Sequence, residues 1–163
     1  MGMDIHMHIV NNGEIIRDDI FDGRNSEWFN NLQNRGYDFE YKDLPTEWGI
    51  SPQAPPEFMD YQEKDYYFGF FYVSVKKYKE WFIKYRPDKD AGYVSTYDKW
   101  RMENKNYVPY DTPSDLSTIE EYMRGDMHFV EYEKEYDSSR WLYEYLIDNN
   151  IPEDADITYW FDW

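Results

Sequence analysis

The sequence has 163 residues, with 34 acidic and 17 basic side chains, a net charge of −17 and no cysteine. Its length is that of a single domain over residues 1–163, and the lack of cysteine excludes disulfides, a thiolate nucleophile and a Cys-ligated zinc. The excess negative charge disfavours direct binding to nucleic acid and to anionic membrane surfaces.

Aromatic residues dominate the apolar content, with 18 Tyr and 7 Trp beside a thin supply of aliphatic side chains. Each aromatic buries roughly 150–250 Å², so we expect a folded domain with an aromatic core. No apolar run approaches the ~20 residues of a membrane-spanning helix, and the start lacks the charged-then-apolar order of a signal peptide. These features indicate a cytoplasmic protein.

The first segment alternates apolar and polar side chains, the two-residue period of a half-buried strand. Asp4, His6 and His8 therefore fall on one face of this strand. Asn11-Asn12-Gly13 is a strong turn signal, so residues 3–17 predict a β-hairpin.

The middle of the chain predicts a turn, a loop, a strand and a helix. Residues 22–26 form a predicted turn that leads into a helix, and residues 37–56, with four prolines, predict an irregular connection. Residues 66–72 contain six aromatics in seven positions, which favours a strand. Ser74 is predicted to cap a helix with an apolar stripe, which Pro87 ends.

The last third predicts a helix near residues 97–103, a helix over 114–124, a strand at 127–133, a helix capped by 137–139 and an aromatic strand at 157–161. Together the elements predict an α+β fold in a single domain. We expect a mainly antiparallel sheet that includes the N-terminal hairpin and the C-terminal strand, with three to five helices packed on it.

The polar face of the opening strand is the first candidate site. A carboxylate and two imidazoles are good ligands for first-row metal ions, so Asp4, His6 and His8 are the predicted ligands of any divalent metal. The spacing of ~6.6 Å between alternate strand residues makes it hard for Asp4 and His8 to share an ion, and no cofactor is expected. The alternative is that Asp4 and His6 bond neighbouring strands while His8 lies near solvent.

Two further groups are candidates for ligand binding. Arg24 and Asn25 precede a predicted helix N-terminus, where backbone N–H groups favour an anion; alternatively they form a structural cap, with Arg24 paired to a nearby acid. Tyr67 and Phe70 belong to the aromatic segment, which either stacks a base or contacts a partner protein, or is a strand buried on both sides.

Several segments resemble a family of small, mostly uncharacterised bacteriophage and bacterial proteins that open with Met-Gly-Cys-Asp-Ile-His. The matching segments are Met1–His6, Asp19–Asn25, Leu44-Pro45, Ser51-Pro52, Val73–Val75 and Ile157–Asp162. Met3 replaces the family's cysteine, and Phe68–Phe71 stands where the family has a His-Ser stretch. The resemblance implies a phage or prophage origin, and the missing histidine argues against metal or acid–base chemistry.

These observations lead to three hypotheses of function. The first is a phage-encoded, cytoplasmic anti-defence protein that binds and sequesters a small nucleotide-type signal without turning it over. Its predicted ligand-binding residues are Asp4, His6, Arg24, Asn25, Tyr67 and Phe70. The second is an acidic inhibitor that occludes a basic nucleic-acid-binding surface of a host defence protein. The third is a metal-dependent hydrolase using Asp4, His6 and His8. The sequence leaves a homo-oligomer open.

Overall fold

The computed structural model describes residues 4–24, 32 and 44–162. The described strands are β1 (Asp4–Asn11), β2 (Glu14–Arg24), β3 (Glu47–Trp48), β4 (Tyr67–Ser74), β5 (Lys89–Ser95), β6 (Met127–Glu133) and β7 (Asp156–Asp162). The described α-helices are α1 (Val75–Tyr85), α2 (Thr96–Asn104) and α3 (Ser138–Asp148), with 3-10 helices at Pro56–Glu63, Leu116–Thr118 and Glu121–Asp126. The predicted α+β class is confirmed.

The chain divides into two compact units, Met1–Tyr85 with Ser138–Trp163, and Arg86–Asp137. The larger unit contains a five-stranded antiparallel sheet in the order β2-β1-β7-β4-β3. The N-terminal hairpin and the C-terminal strand are both part of this sheet, as predicted. The assignment of residues 1–163 to one domain stays a prediction.

The hairpin joins β1 to β2 through Asn12 and Gly13, whose φ angles are 53° and 80°. Positive φ at both central residues is the mark of a type I′ turn, which matches the twist of the flanking strands. β2 is longer than expected because residues 22–24 continue it opposite β1, so the turn predicted over 22–26 is wrong for those residues. Asn25 and the helix predicted after it lie outside the described residues, apart from Leu32, which is buried.

One face of the sheet packs against α1 and α3 in the main core. This core includes Ile5, Met7, Ile9, Tyr78, Leu142, Leu146, Ile157, Tyr159 and Phe161. Ser74 caps α1 as predicted, because its Oγ accepts a hydrogen bond from the Lys77 N–H at 3.1 Å. The prediction of helices packed on the sheet is therefore confirmed for this face.

The opposite face carries a second, smaller core that we call the aromatic cluster. It consists of Val10, Phe58 and Trp160, with partly buried Ile50, Ala54, Tyr61, Tyr67 and Phe70 around them. Trp160 is at its centre and is only 2% exposed. Phe58 and Tyr61 come from the 3-10 helix at Pro56–Glu63.

A β-bulge in β4 divides the aromatic segment between the two faces. Phe68 pairs with Phe161 and Phe71 with Tyr159, so Gly69 and Phe70 together oppose Trp160. Gly69 has φ 66°, and a Cβ there would lie 2.7 Å from Cδ2 of Phe161. Any side chain here would therefore be strained in its backbone and would push against the Phe161 ring. The bulge directs Phe70 to the aromatic cluster while Phe71 joins the main core.

The smaller unit contains the antiparallel pair β5 and β6. Helix α2 follows β5, and the 3-10 helix at Glu121–Asp126 precedes β6. β6 and α2 were predicted, whereas β5 was not. The helix predicted over residues 114–124 is wrong, since the chain there forms two 3-10 helices separated by an extended Ile119 with φ −100° and ψ 139°. Within the described part of the chain, no helix is long and apolar enough to cross a membrane.

Candidate functional site

Four strands contribute to one row of residues at the end of the sheet where β1 begins. Asp4 pairs with Arg24 of β2 and with Asp162 of β7, and Asp162 in turn pairs with Tyr67 of β4. Partners that lie directly opposite each other in antiparallel strands are close neighbours. We call these four residues the polar row. Of Arg24, only the backbone position is described.

His6 lies beside the polar row and is bonded to it. Its Nε2 is 2.6 Å from Oδ2 of Asp162, with the two side chains 23% and 19% exposed. The His6 ring also meets Tyr67 edge-on, with 5.5 Å between ring centroids. His6 therefore bonds a neighbouring strand, which was one of the two interpretations of the opening strand.

Aromatic rings border the polar row on the β4 side. Tyr66 is 53% exposed and contacts Tyr67 edge-on at 4.5 Å between ring centroids. Burial, together with Tyr66, Asp162 and Tyr61, raises the pKa of Tyr67. Phe70 is partly buried and stacks on Trp160 at 5.6 Å. Tyr67 and Phe70, both predicted as ligand-binding residues, thus share the aromatic cluster around Trp160, and Tyr67 also belongs to the polar row.

His8 is buried, which differs from the expectation that it lies near solvent. It is 5% exposed, its ring stacks on Trp160 at 4.9 Å, and Phe58 meets it edge-on at 5.2 Å. Burial lowers the pKa of His8, while the carboxylates of Asp19 and Asp18 act in the opposite direction. The strand alternation placed His8 on the correct face, but sequence reasoning did not foresee that Phe58 would cover it.

Two aspartates that sequence reasoning missed surround His8. Oδ1 of Asp18 lies 2.7 Å from Nδ1, and Oδ1 of Asp19 lies 3.4 Å from Nε2. One ligand atom from each of the three residues lies within 4.8 Å of the others, the only such His/acid grouping within the described ranges. Asp4 and His6 are not part of it. The hydrolase hypothesis in its predicted form, with Asp4, His6 and His8 on one ion, is not supported by this geometry.

No protein-family model, curated protein or solved structure matches this chain. The resemblance to the phage and bacterial family therefore stays a prediction that depends on the segments quoted from the sequence.

Proposed function

We propose that the polar row and His6 bind a small nucleotide-type ligand and hold it without turning it over. The observation that supports this proposal is the strand register. It brings Asp4, His6, Arg24 and Tyr67, four of the six residues predicted as ligand-binding, to one end of the sheet. The same register adds Asp162, which the prediction did not include.

The chemistry of the site suits the hydroxyl and amino groups of a nucleoside. A carboxylate accepts several hydrogen bonds, so Asp162 can bond His6 and still accept from a ribose hydroxyl or a base amino group. The exposed ring of Tyr66 offers a flat surface on which a base can stack. The two carboxylates of the polar row are unfavourable for a phosphate. In this proposal the phosphate is therefore assigned to Arg24 and Asn25, as the sequence suggested.

The wider biological role in this proposal comes from the sequence resemblance alone. A phage-encoded protein that sequesters a nucleotide immune signal in the host cytoplasm needs affinity for the signal and needs no cofactor. Such a role is compatible with the charge of −17. Salt screens the distant charges of the protein, so the groups lining the site dominate its interaction with a small ligand.

Calorimetry against cyclic and ADP-ribose-type nucleotides tests this proposal. We expect one of them to bind, and we expect His6→Ala and Asp162→Ala each to weaken its binding by about tenfold or more. Asp60→Asn removes an exposed carboxylate outside the polar row and should leave binding unchanged. Failure of all these nucleotides to bind the unaltered protein would refute the proposal.

A second candidate function is occlusion of a basic nucleic-acid-binding surface on a host protein. The observation in its favour is the strong negative charge, with exposed carboxylates such as Asp18, Asp19 and Glu153. Long-range attraction of this kind weakens as the Debye length falls from ~10 Å at 0.1 M salt to ~3 Å at 1 M. Partner capture that is lost at high salt and is indifferent to Arg24→Ala would favour this function over nucleotide binding.

A further inference from the structure

A β-bulge in β2 places two carboxylates around one buried histidine. Met7 pairs with Phe21 and Ile9 with Arg17, so His8 alone on β1 opposes Asp18, Asp19 and Ile20 on β2. Asp19 has φ 43°, in the left-handed region that non-glycine residues rarely adopt. Bulges of this kind re-aim side chains, and here the carboxylates of Asp18 and Asp19 are directed at His8 although they repel each other.

Two contacts on Nδ1 of His8 make opposite demands on that nitrogen. The backbone N–H of Asp19 lies 3.2 Å from Nδ1 and favours a lone pair there. Oδ1 of Asp18 lies 2.7 Å from the same nitrogen. A proton on Nδ1 would serve Asp18 but would face the Asp19 N–H, whereas a lone pair on Nδ1 would accept from that N–H but would face the Asp18 oxygen. A cation bound to both Nδ1 and the Asp18 carboxylate removes the second conflict. Burial against Trp160 and Phe58 disfavours the protonated, charged imidazole.

We infer that His8, Asp18 and Asp19 bind a first-row divalent metal ion. The neutral imidazole and two carboxylates supply two negative charges, which balance the charge of the ion. One nitrogen and two oxygen ligands suit Zn²⁺, Fe²⁺ or Mn²⁺ better than Mg²⁺, which prefers oxygen ligands alone. This site does not depend on the nucleotide site proposed above.

An ion on Nδ1 of His8 keeps Asp18 beside it and requires the Asp19 carboxylate, now 3.4 Å from Nε2, to turn toward Nδ1. Ligands on opposite sides of an ion at ~2.1 Å each are ~4.2 Å apart, and the three ligand atoms here already lie within 4.8 Å of one another. The stacked ring of His8 is fixed by its neighbours. Asp18 and Asp19 are 68% and 58% exposed, so their side chains can rotate to close the set. Their exposure also leaves the solvent side of the ion open to water.

The test is metal binding to the full chain after removal of metals with EDTA and desalting. Calorimetry with Zn²⁺ and loss of the free Mn²⁺ signal in electron paramagnetic resonance should each show one saturable site per chain. We expect Mg²⁺ to bind at least about tenfold more weakly than Zn²⁺. Asp18→Asn and Asp19→Asn should each weaken Zn²⁺ binding by about tenfold or more, whereas Asp60→Asn, which changes the net charge equally, should leave it within about twofold.

A direct measurement on His8 completes the test, because a variant of this buried residue could fail to fold. Zn²⁺ should shift the ring ¹⁵N resonances of His8 in nuclear magnetic resonance spectra, with no comparable shift for His128. Absence of saturable binding at about 1 mM metal, unchanged binding in both aspartate variants, or unshifted His8 nitrogens at saturation would each overturn the inference. Nucleotide calorimetry repeated with EDTA present separates the two proposals. Nucleotide binding without any metal binding would overturn only the metal inference, and metal binding without nucleotide binding would overturn only the proposed function.

Discussion

Nε2 of His6 lies 2.6 Å from Oδ2 of Asp162, and this bond joins the first strand of the sheet to its central strand. Both side chains are mostly buried, so the interaction is screened less than an exposed ion pair would be. It also holds the His6 ring against Tyr67. The pair is therefore at once a connection between strands and part of the candidate ligand site, and its two contributions can be measured separately.

Substitution of Asp162 should affect stability according to whether the new side chain can still accept a hydrogen bond. Asp162→Ala leaves the partly buried His6 nitrogen without its partner and should lower the free energy of unfolding by about 1–3 kcal/mol. Asp162→Asn retains an acceptor oxygen and should cost less. Urea denaturation at neutral pH measures both values. Equal stability of Asp162→Ala and the unaltered protein would show that the bond is not stabilising.

The stability of the protein should fall in mildly acidic solution because of His8. Burial lowers the pKa of His8 below its ordinary value of about 6.5, so the unfolded chain binds the proton more tightly than the folded chain does. The free energy of unfolding is therefore at its full value above about pH 6.5 and declines as the pH falls through the pKa of the folded state.

Denaturation with EDTA present, at several values between about pH 5 and about pH 8, measures this dependence. His8→Gln is the matched variant, since it removes the titrating ring and keeps polar atoms. Its free energy of unfolding should change less over this range than that of the unaltered protein. An equally steep decline in both proteins would assign the effect to other groups.

Two glycines with positive φ allow steric clash to be separated from backbone strain. Gly13→Ala imposes strain alone, because nothing lies within 4 Å of the added Cβ, and should cost about 1 kcal/mol. Gly69→Ala adds a contact of 2.7 Å with Phe161 and should cost more, by about 1–3 kcal/mol. Thermal and urea denaturation of the two variants provide the comparison. Equal losses would mean that Phe161 moves aside freely.

Removal of the Trp160 ring should destabilise the larger unit strongly. Trp160 contacts the rings of His8, Phe58, Tyr61 and Phe70, so Trp160→Ala should lower the free energy of unfolding by about 3–5 kcal/mol. Trp100→Ala removes the same side chain from an exposed position on α2 and should cost less than about 1 kcal/mol. Similar losses in the two variants would contradict the central role assigned to Trp160.

Local patterns predicted most of the sheet and the helices that cover it. Strict alternation identified β1, Ser74 and Pro87 bounded α1, and dense aromatic and β-branched residues identified β7. The failures occurred where local signals conflicted with tertiary pairing. Asp22 and Gly23 are typical of turns, yet pairing with β1 satisfies their backbone groups. The segment around Ile119 has a helical pattern but does not continue as one helix.

The candidate sites were predictable only in part. The sequence placed Asp4, His6 and His8 on one face, but the partners of these residues come from distant strands whose register cannot be read locally. Asp18 and Asp19 were two among 34 acidic residues. One signal was available: Ile15-Ile16 and Ile20-Phe21 interrupt the alternation of β2, as the extra residue of a bulge does.

The position of β7 has a consequence for biosynthesis. Asp156–Asp162 forms the centre of the sheet, with β1 on one side and β4 on the other. During translation these residues leave the ribosome after all the other described strands. Until then the nascent chain exposes the edges of β1 and β4, which are templates for wrong pairing. Premature termination before residue 156 would therefore leave both edges open permanently, so truncated products should aggregate rather than retain partial activity.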